Sequence, residues 1–528
     1  MAKDYLIGIG GTGARCAEAL IYLTAAGLFK NNLHLLLIDP DQNNGNSEAA
    51  KRLVESYALL HRQTQPANPQ RKRMLGIPSQ KLDPPTLFRA RINRGSDDIA
   101  IPVAWHSPND ATITFSRLIN HQTLPDTLKA FLDLFYTHDD LDMTMEAGYR
   151  GRTNVGSVAL KQDLENTAAL QGNPLNLWLR ELNRDLNTEP AKVFVIGSLF
   201  GGTGAAGLPI IPALIKNLDK EVLAVGNREK ILYGCAMMSP YFSFPGPEQG
   251  AKKHPGIDST RHAIATQAAL HHYARVPPSY QRAYLIGAPQ RPQTNDSNVS
   301  GGSQQKNKPH YAEIVAALAG WDFFSRGDVQ RDNQTLHYAD TLNQQQQDDG
   351  VRWENLPLSL TLLKQRDEIK QRLVVFTTFA YFYQRILHRR FIERDYQSMN
   401  VYRHNFRKLS LDLEAPSLAA LNDFLTGYLN WLRQVGETGN DSGVRWPLFN
   451  WEAFNTTNPH LCSEHLGNLM MNETVKPLYA ANSYDQILRR LDGLTLTSAE
   501  TNSATGLFIY LLWHAVNDFC FDNYYWTR

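Results

Sequence analysis

The sequence predicts an α/β fold: a Rossmann-like, mostly parallel sheet with helices on both faces, followed by a mainly helical C-terminal region. Three observations carry that reading. Short continuous apolar runs at 4–9, 33–38, 192–196, 231–238 and 283–286 alternate with helical patterns, as strands buried on both faces do. Two glycine-rich turns, Gly8-Ile-Gly-Gly-Thr-Gly13 and Phe200-Gly-Gly-Thr-Gly-Ala-Ala-Gly207, each follow one of these strands and open a helical pattern. Beyond the polar run at 343–350 the strand signals fade and long helical patterns take over.

In chain order, the strand at 4–9 leads to a helix from Arg15 to Gly27 and a buried strand at 33–38 ending in Asp39-Pro-Asp41, a βαβ unit. Residues 62–100, rich in Pro, Gln and Arg and containing Arg71-Lys-Arg73, read as an irregular excursion. A helix at 124–137 precedes the glycine-interrupted loop Gly148-Tyr-Arg-Gly-Arg-Thr-Asn-Val-Gly156, which feeds a helix from Ser157 to Leu170. The strand at 192–196 enters the second glycine turn, and strands at 231–238 and 283–286 flank a helix at 257–274. Residues 290–308 read as a flexible polar loop before a helix from His310 to Phe324. The run at 343–350 marks a boundary between a nucleotide-binding domain, 1–340, and a helical domain, 351–528, with helices at 360–395, 416–435 and 504–520.

At 528 residues the chain has room for two or three compact units. Its 53 Lys+Arg against 52 Asp+Glu give no specific nucleic-acid signal and no bias toward an anionic membrane. Cys16, Cys235, Cys462 and Cys520 lie far apart with no C-x-x-C pair, which argues against a disulfide framework or a cysteine-rich zinc site. The chain begins without a charged leader, and no apolar run reaches membrane-spanning length, so the expectation is a cytoplasmic protein without a membrane span.

Both glycine turns can aim backbone N–H groups and a helix N-terminus at an anion. Gly10, Gly11 and Gly13 let the backbone approach a phosphate, and Thr12 adds a hydroxyl. No G-K-[ST] follows either turn, so there is no P-loop lysine, and charge compensation falls to another group such as Mg²⁺. Asp39 and Asp41 stand at the carboxyl end of a strand, where open α/β sheets bind ligands, within reach of a ribose or a metal-bound water. The same Asp-Pro-Asp also suits a turn or a helix cap. Arg150 and Arg152 suit either phosphate neutralisation or a solvated loop.

The Phe200–Gly207 turn resembles the tubulin/FtsZ signature loop, G-G-G-T-G-[ST]-G, and the order of parts over about residues 1–325 is similar to that family, in the manner of a divergent bacterial tubulin-like protein. The resemblance implies GTP or GDP with Mg²⁺, its phosphates clamped between Gly10–Gly13 and the loop Gly201, Gly202, Thr203, Gly204 and Ala205. It implies a γ-phosphate sensor in Arg150, Gly151, Arg152, Thr153 and Asn154, and ribose contacts beyond Met238 that include Glu248. Guanine recognition falls by the same resemblance to Tyr311, by stacking, and to Glu313, as an acceptor. Self-association into filaments or oligomers, with nucleotide between subunits, is implied as well. Relatives of this kind are often parts of multi-protein defence or conflict systems.

The chain departs from the family at Phe200, Ala205 and Ala206, and no N-x-D-x-x-D loop follows Phe324. Asp328 and Asp332 occupy that neighbourhood and could orient a water, so binding with slow or absent hydrolysis is the expectation. The helical C-terminal region stands where the family has a second α/β domain, and offers a surface for protein partners. Two other readings remain open. The first 45 residues resemble a ThiF-type adenylating enzyme, whose Asn/Arg pair and zinc cysteines are missing, and which has no use for a second glycine loop. A scaffold with a vestigial nucleotide site is the other.

Overall fold

The computed structural model describes residues 3–65, 86–95, 100–108, 112–145, 148–243, 259–276, 279–288, 302–303, 305–327, 335–339, 363–384, 416–441, 449, 483–494 and 503–523. Its strands are β1 Lys3–Ile9, β2 Leu33–Ile38, β3 Ala104–Trp105, β4 Ala191–Ser198, β5 Ile231–Met238, β6 Arg282–Ile286 and β7 Thr335–Ala339, forming one sheet in the order β3-β2-β1-β4-β5-β6-β7. Every neighbouring pair is parallel. The chain winds outward from β1 to β3, then returns to lay β4 beside β1 with Gly8 opposite Ile196. Strand order reverses at that pair, which opens a crevice at the carboxyl ends of β1 and β4.

The principal helices are α1 Gly10–Ala25, α2 Gly45–Thr64, α3 Asp126–Leu132, α4 Thr153–Ala168, α5 Pro174–Leu186, α6 Gly202–Asn217, α7 Ser259–Arg275, α8 Tyr311–Ser325, α9 Leu363–Phe382, α10 Pro416–Asp441, α11 Ser483–Gly493 and α12 Ala504–Asn523. They cover both faces of the sheet because its strands are apolar on both. Leu6, Leu35, Leu37, Phe194 and Ile196 face one core with α1, α2 and α8. The alternate residues Tyr5, Ile7, Leu36, Ile38, Val193 and Val195 face the other with α4, α5 and α6. The C-terminal helices join the first core through Phe376, Phe379, Tyr428, Leu511 and Phe519. There Tyr22 of α1 meets Phe424, Tyr428 and Trp431 at ring distances of 5.5, 5.4 and 5.0 Å. Aromatic pairs in such contact add about 0.5–1.5 kcal/mol each beyond their buried area.

Several sequence expectations shift. The helix read at 124–137 is only Asp126–Leu132, because Thr137 starts a fresh capping box with Asp140 and breaks the pattern. Helix α2 runs to Thr64, so its last residues are regular where the irregular excursion was expected to begin. Asn44 caps its start, and Val54, Tyr57, Leu60 and His61 give it a buried face. Both helices after the glycine turns begin at the glycines themselves. The amphipathic α5 and the edge strands β3 and β7 were not anticipated. The run at 343–350 lies outside the described residues.

Candidate functional site

Three loops meet at the crevice between β1 and β4. Gly10, at φ +67°, turns the chain from β1 into α1, and a Cβ there would stand 3.3 Å from Cβ of Thr203 in the second glycine turn. A Cβ on Gly204 would come within 2.6 Å of the Ser198 backbone nitrogen, and one on Gly202 within 2.8 Å of Cβ of Tyr149. The third loop holds positive φ at Gly148 (64°), Arg150 (44°) and Gly151 (77°), a conformation an arginine adopts only under constraint. Glycine at these close approaches is therefore a packing requirement of the site.

The loops enclose a cleft of about 930 Å³ of empty space, part of it open to solvent, lined by Gly10, Gly11, Thr12, Asp39, Asp41, Arg150, Gly151, Gly201, Gly202, Thr203 and Gly204. Neither α1 nor α6 has a side chain capping its first turn. Their first-turn N–H groups and positive dipole ends are aimed at the cleft, as anion sites require. Helix α2 also starts at the cleft, but Asn44 Oδ1 takes its Asn46 and Ser47 N–H groups.

Two cationic side chains reach the same space. Arg150 lines it with a buried Nε that has no hydrogen-bond partner. Arg15, 5% exposed, pairs with Glu313 at 2.9 Å, donates to Tyr241 Oη, and lies 5.4 and 5.0 Å from the Tyr241 and Phe242 rings. Glu313 Oε1 also accepts from Tyr241 Oη at 2.9 Å, while Oε2 accepts from the His310 N–H at 3.1 Å. Burial raises the Glu313 pKa, while the Arg15 charge opposes the rise. Burial beside Arg15 lowers His310 to about 3, so it stands neutral under α8.

Asp39 and Asp41 are 4% and 2% exposed. Asp39 accepts from the Asp41 N–H at 3.2 Å and from Ser47 Oγ at 3.3 Å; Asp41 accepts from the Asn43 N–H at 3.0 Å and the Gly302 N–H at 2.6 Å. Burial, reinforced by the Asp41 charge, pushes Asp39 up from 3.8 to about 7. A divalent cation beside this pair would relieve both penalties, and carboxylate oxygens are what Mg²⁺ takes, so the donor set fits it. A second cluster, His34, Glu181 and Asp185, brings ligand-type atoms within 4.8 Å, but Lys3 and Arg184 already pair with its acids.

Some expected site residues do not line the cleft. Gly13 packs α1 on the sheet, its would-be Cβ 2.6 Å from the Gly8 carbonyl carbon. Arg152 turns away to Asp140 at 2.9 Å, and Asn154 donates to the Phe135 carbonyl at 3.3 Å. Thr153 opens α4 and Ala205 lies inside α6, both off the cleft wall. Tyr311 and Glu313, the residues expected to meet the base, are fully buried and off the cleft wall, Glu313 being paired with Arg15. Glu248, Asp328 and Asp332 lie outside the described residues.

Sequence reading missed Arg15, Asn44, Asn46, Phe242, His262, Gln305 and Asn307 on the cleft wall. Arg15 carried a signal, a lone cation in the apolar run Gly13-Ala-Arg-Cys-Ala17. Asn44 carried one too, as an N-cap ahead of Glu48. Gln305 and Asn307 sit in a polar stretch that reads as loop and nothing more.

No protein-family model matches the sequence, and no curated protein does. Among solved structures, one similar chain is CetZ2 from Haloferax volcanii in a GTPγS-bound protofilament, at 12% identity and a TM-score of 0.26, over 62% of this chain and 60% of that one. This chain thus spans less than two thirds of that protein's length.

Proposed function

We propose that the protein is a tubulin-like guanine-nucleotide-binding protein whose conformation or self-association follows the nucleotide it holds. One observation carries the proposal: two uncapped, glycine-led helices begin on adjacent strands at the sheet's switch point and face one cleft, with a third glycine loop closing its side. A dinucleotide-binding or adenylating site needs only the first of these turns. In this reading the first turns of α1 and α6 hold the phosphate chain, and Arg150 meets its charge. Asp39 and Asp41 hold Mg²⁺, which supplies further neutralisation when bound. Hydrolysis is slow or absent, the C-terminal helices serve protein partners, and a role in a bacterial defence system is the most specific form of the proposal.

Purified protein mixed with GTP, ATP or NAD, with Mg²⁺ or with chelator, separates the readings. Bound nucleotide, phosphate release and light scattering are followed together. GTP retained in a Mg²⁺-dependent way, with little phosphate released and scattering that changes with nucleotide, is the expected outcome. Preference for ATP with pyrophosphate release would identify an adenylating enzyme and sink the proposal.

A further inference from the structure

Residues 302–303 and 305–307 lie against the cleft, with Gln305 and Asn307 on its wall. The Gly302 N–H donates to Asp41 Oδ2 at 2.6 Å, its carbonyl accepts from the Gly45 N–H at 3.2 Å, and the Gln305 N–H donates to the same carbonyl at 3.1 Å. A Cβ on Gly45 would come within 2.7 Å of the Ser303 carbonyl oxygen, so this strap lies directly on the start of α2. It presents Gln305 and Asn307 to the cleft wall.

The orientation of the Gln305 amide follows from a chain of donors and acceptors. Asn44 Oδ1 accepts from the backbone N–H groups of Asn46 at 3.0 Å and Ser47 at 3.4 Å, which can only donate. Asn44 Nδ2 is therefore the donor to Gln305 Oε1, at 2.7 Å. With its oxygen so engaged, Gln305 is left with an NH₂ that has no partner among the described residues. The amide nitrogens of Asn46 and Asn44 would stand 3.1 and 3.4 Å from a Cβ on Gly11, in the first turn of α1. This cluster of amides therefore sits at the end of the cleft where a helix N-terminus draws an anion.

We propose that Gln305 is a ligand-binding residue whose Nε2 donates to an oxygen of the phosphate chain, and that the strap is a wall of the phosphate site supplied by the same chain. The inference rests on the nucleotide reading above. It makes Asn44 a positioning residue: by holding the Gln305 oxygen it keeps the donor facing the ligand.

Calorimetric titration of the full chain with Mg²⁺, using GTP and separately guanosine, tests this. Gln305→Glu, which puts a carboxylate where the donor stood, weakens GTP by at least about tenfold, or ~1.4 kcal/mol, and Gln305→Met by less. Guanosine binding stays unchanged in both, and so does thermal stability. Asn44→Asp keeps the helix cap but accepts where Asn44 donated, turning the Gln305 oxygen toward the ligand. It therefore weakens GTP more in the wild-type background than in Gln305→Met, where only the added charge acts. Wild-type GTP affinity in Gln305→Glu would overturn the inference and leave the nucleotide reading standing. Equal losses for GTP and guanosine would overturn the phosphate assignment, and a wild type that binds no GTP would overturn both.

Discussion

Asp4, near the start of β1, is 3% exposed; its Oδ2 accepts from Asn31 Nδ2 at 3.1 Å and its Oδ1 has no partner. Burial pushes its pKa from 3.8 up to about 7, against the pull of Asn31 and Lys192. A carboxyl raised in the folded state stabilises below its unfolded pKa, and that contribution is lost as pH rises through the folded value. Asp4→Asn, which preserves the acceptor for Asn31, is thus expected to raise the thermal midpoint at pH 8 by the equivalent of about 1–4 kcal/mol. Thermal melts should show the gain growing as pH climbs from 3.8 to about 7 and level above that window. Single residues were the least legible part of the sequence. Glu313 read as a first-turn acid free to meet a base, and only the packing of α1 beside α8 brings Arg15 to pair with it. Gln305 gained a direction only when Asn44, remote in sequence, was placed beside it.

Elements were legible where their apolar pattern was strong. β1, β2, β4 and β5 announced themselves as continuous apolar runs, because both faces of a parallel sheet are dry. β3, two residues long, and β7, at the sheet edge, had too little pattern to be seen. The glycine turns were legible as strand-to-helix turns suited to phosphate, yet their glycines divide into two jobs. Gly10 and Gly11 face the cleft and Gly13 lets α1 lie against a strand, while Gly204 does both, lining the cleft and lying against the Ser198 backbone. Gly204→Ala meets the immovable Ser198 backbone at 2.6 Å, so a cost of about 1–3 kcal/mol and a marked loss of GTP affinity are expected. Gly226→Ala meets nothing within 4 Å and serves as the control, with a change within about 0.5 kcal/mol. Melting curves and nucleotide titration of the two variants check this.

For the whole molecule, the decisive feature is the core that α1, α2 and α8 share with α9, α10 and α12. The sequence pattern changes near 343–350, but the apolar contacts do not respect that change, because a sheet face covered by helices leaves the helices' outer sides to be covered in turn. A chain ending at residue 340 would uncover Tyr22, Tyr57 and Phe88, and it is expected to aggregate on expression while the full chain unfolds in one transition. Soluble recovery and a folded melting profile for the shortened chain would contradict this. The bare helix ends at the switch point also bear on encounter. With a formal net charge of +1 the molecule exerts almost no pull at a distance, so its attraction for anions is confined to the roughly 8–10 Å over which dipole ends and arginines act through salt. In the proposed reading, nucleotide capture then depends on diffusive arrival at the cleft itself.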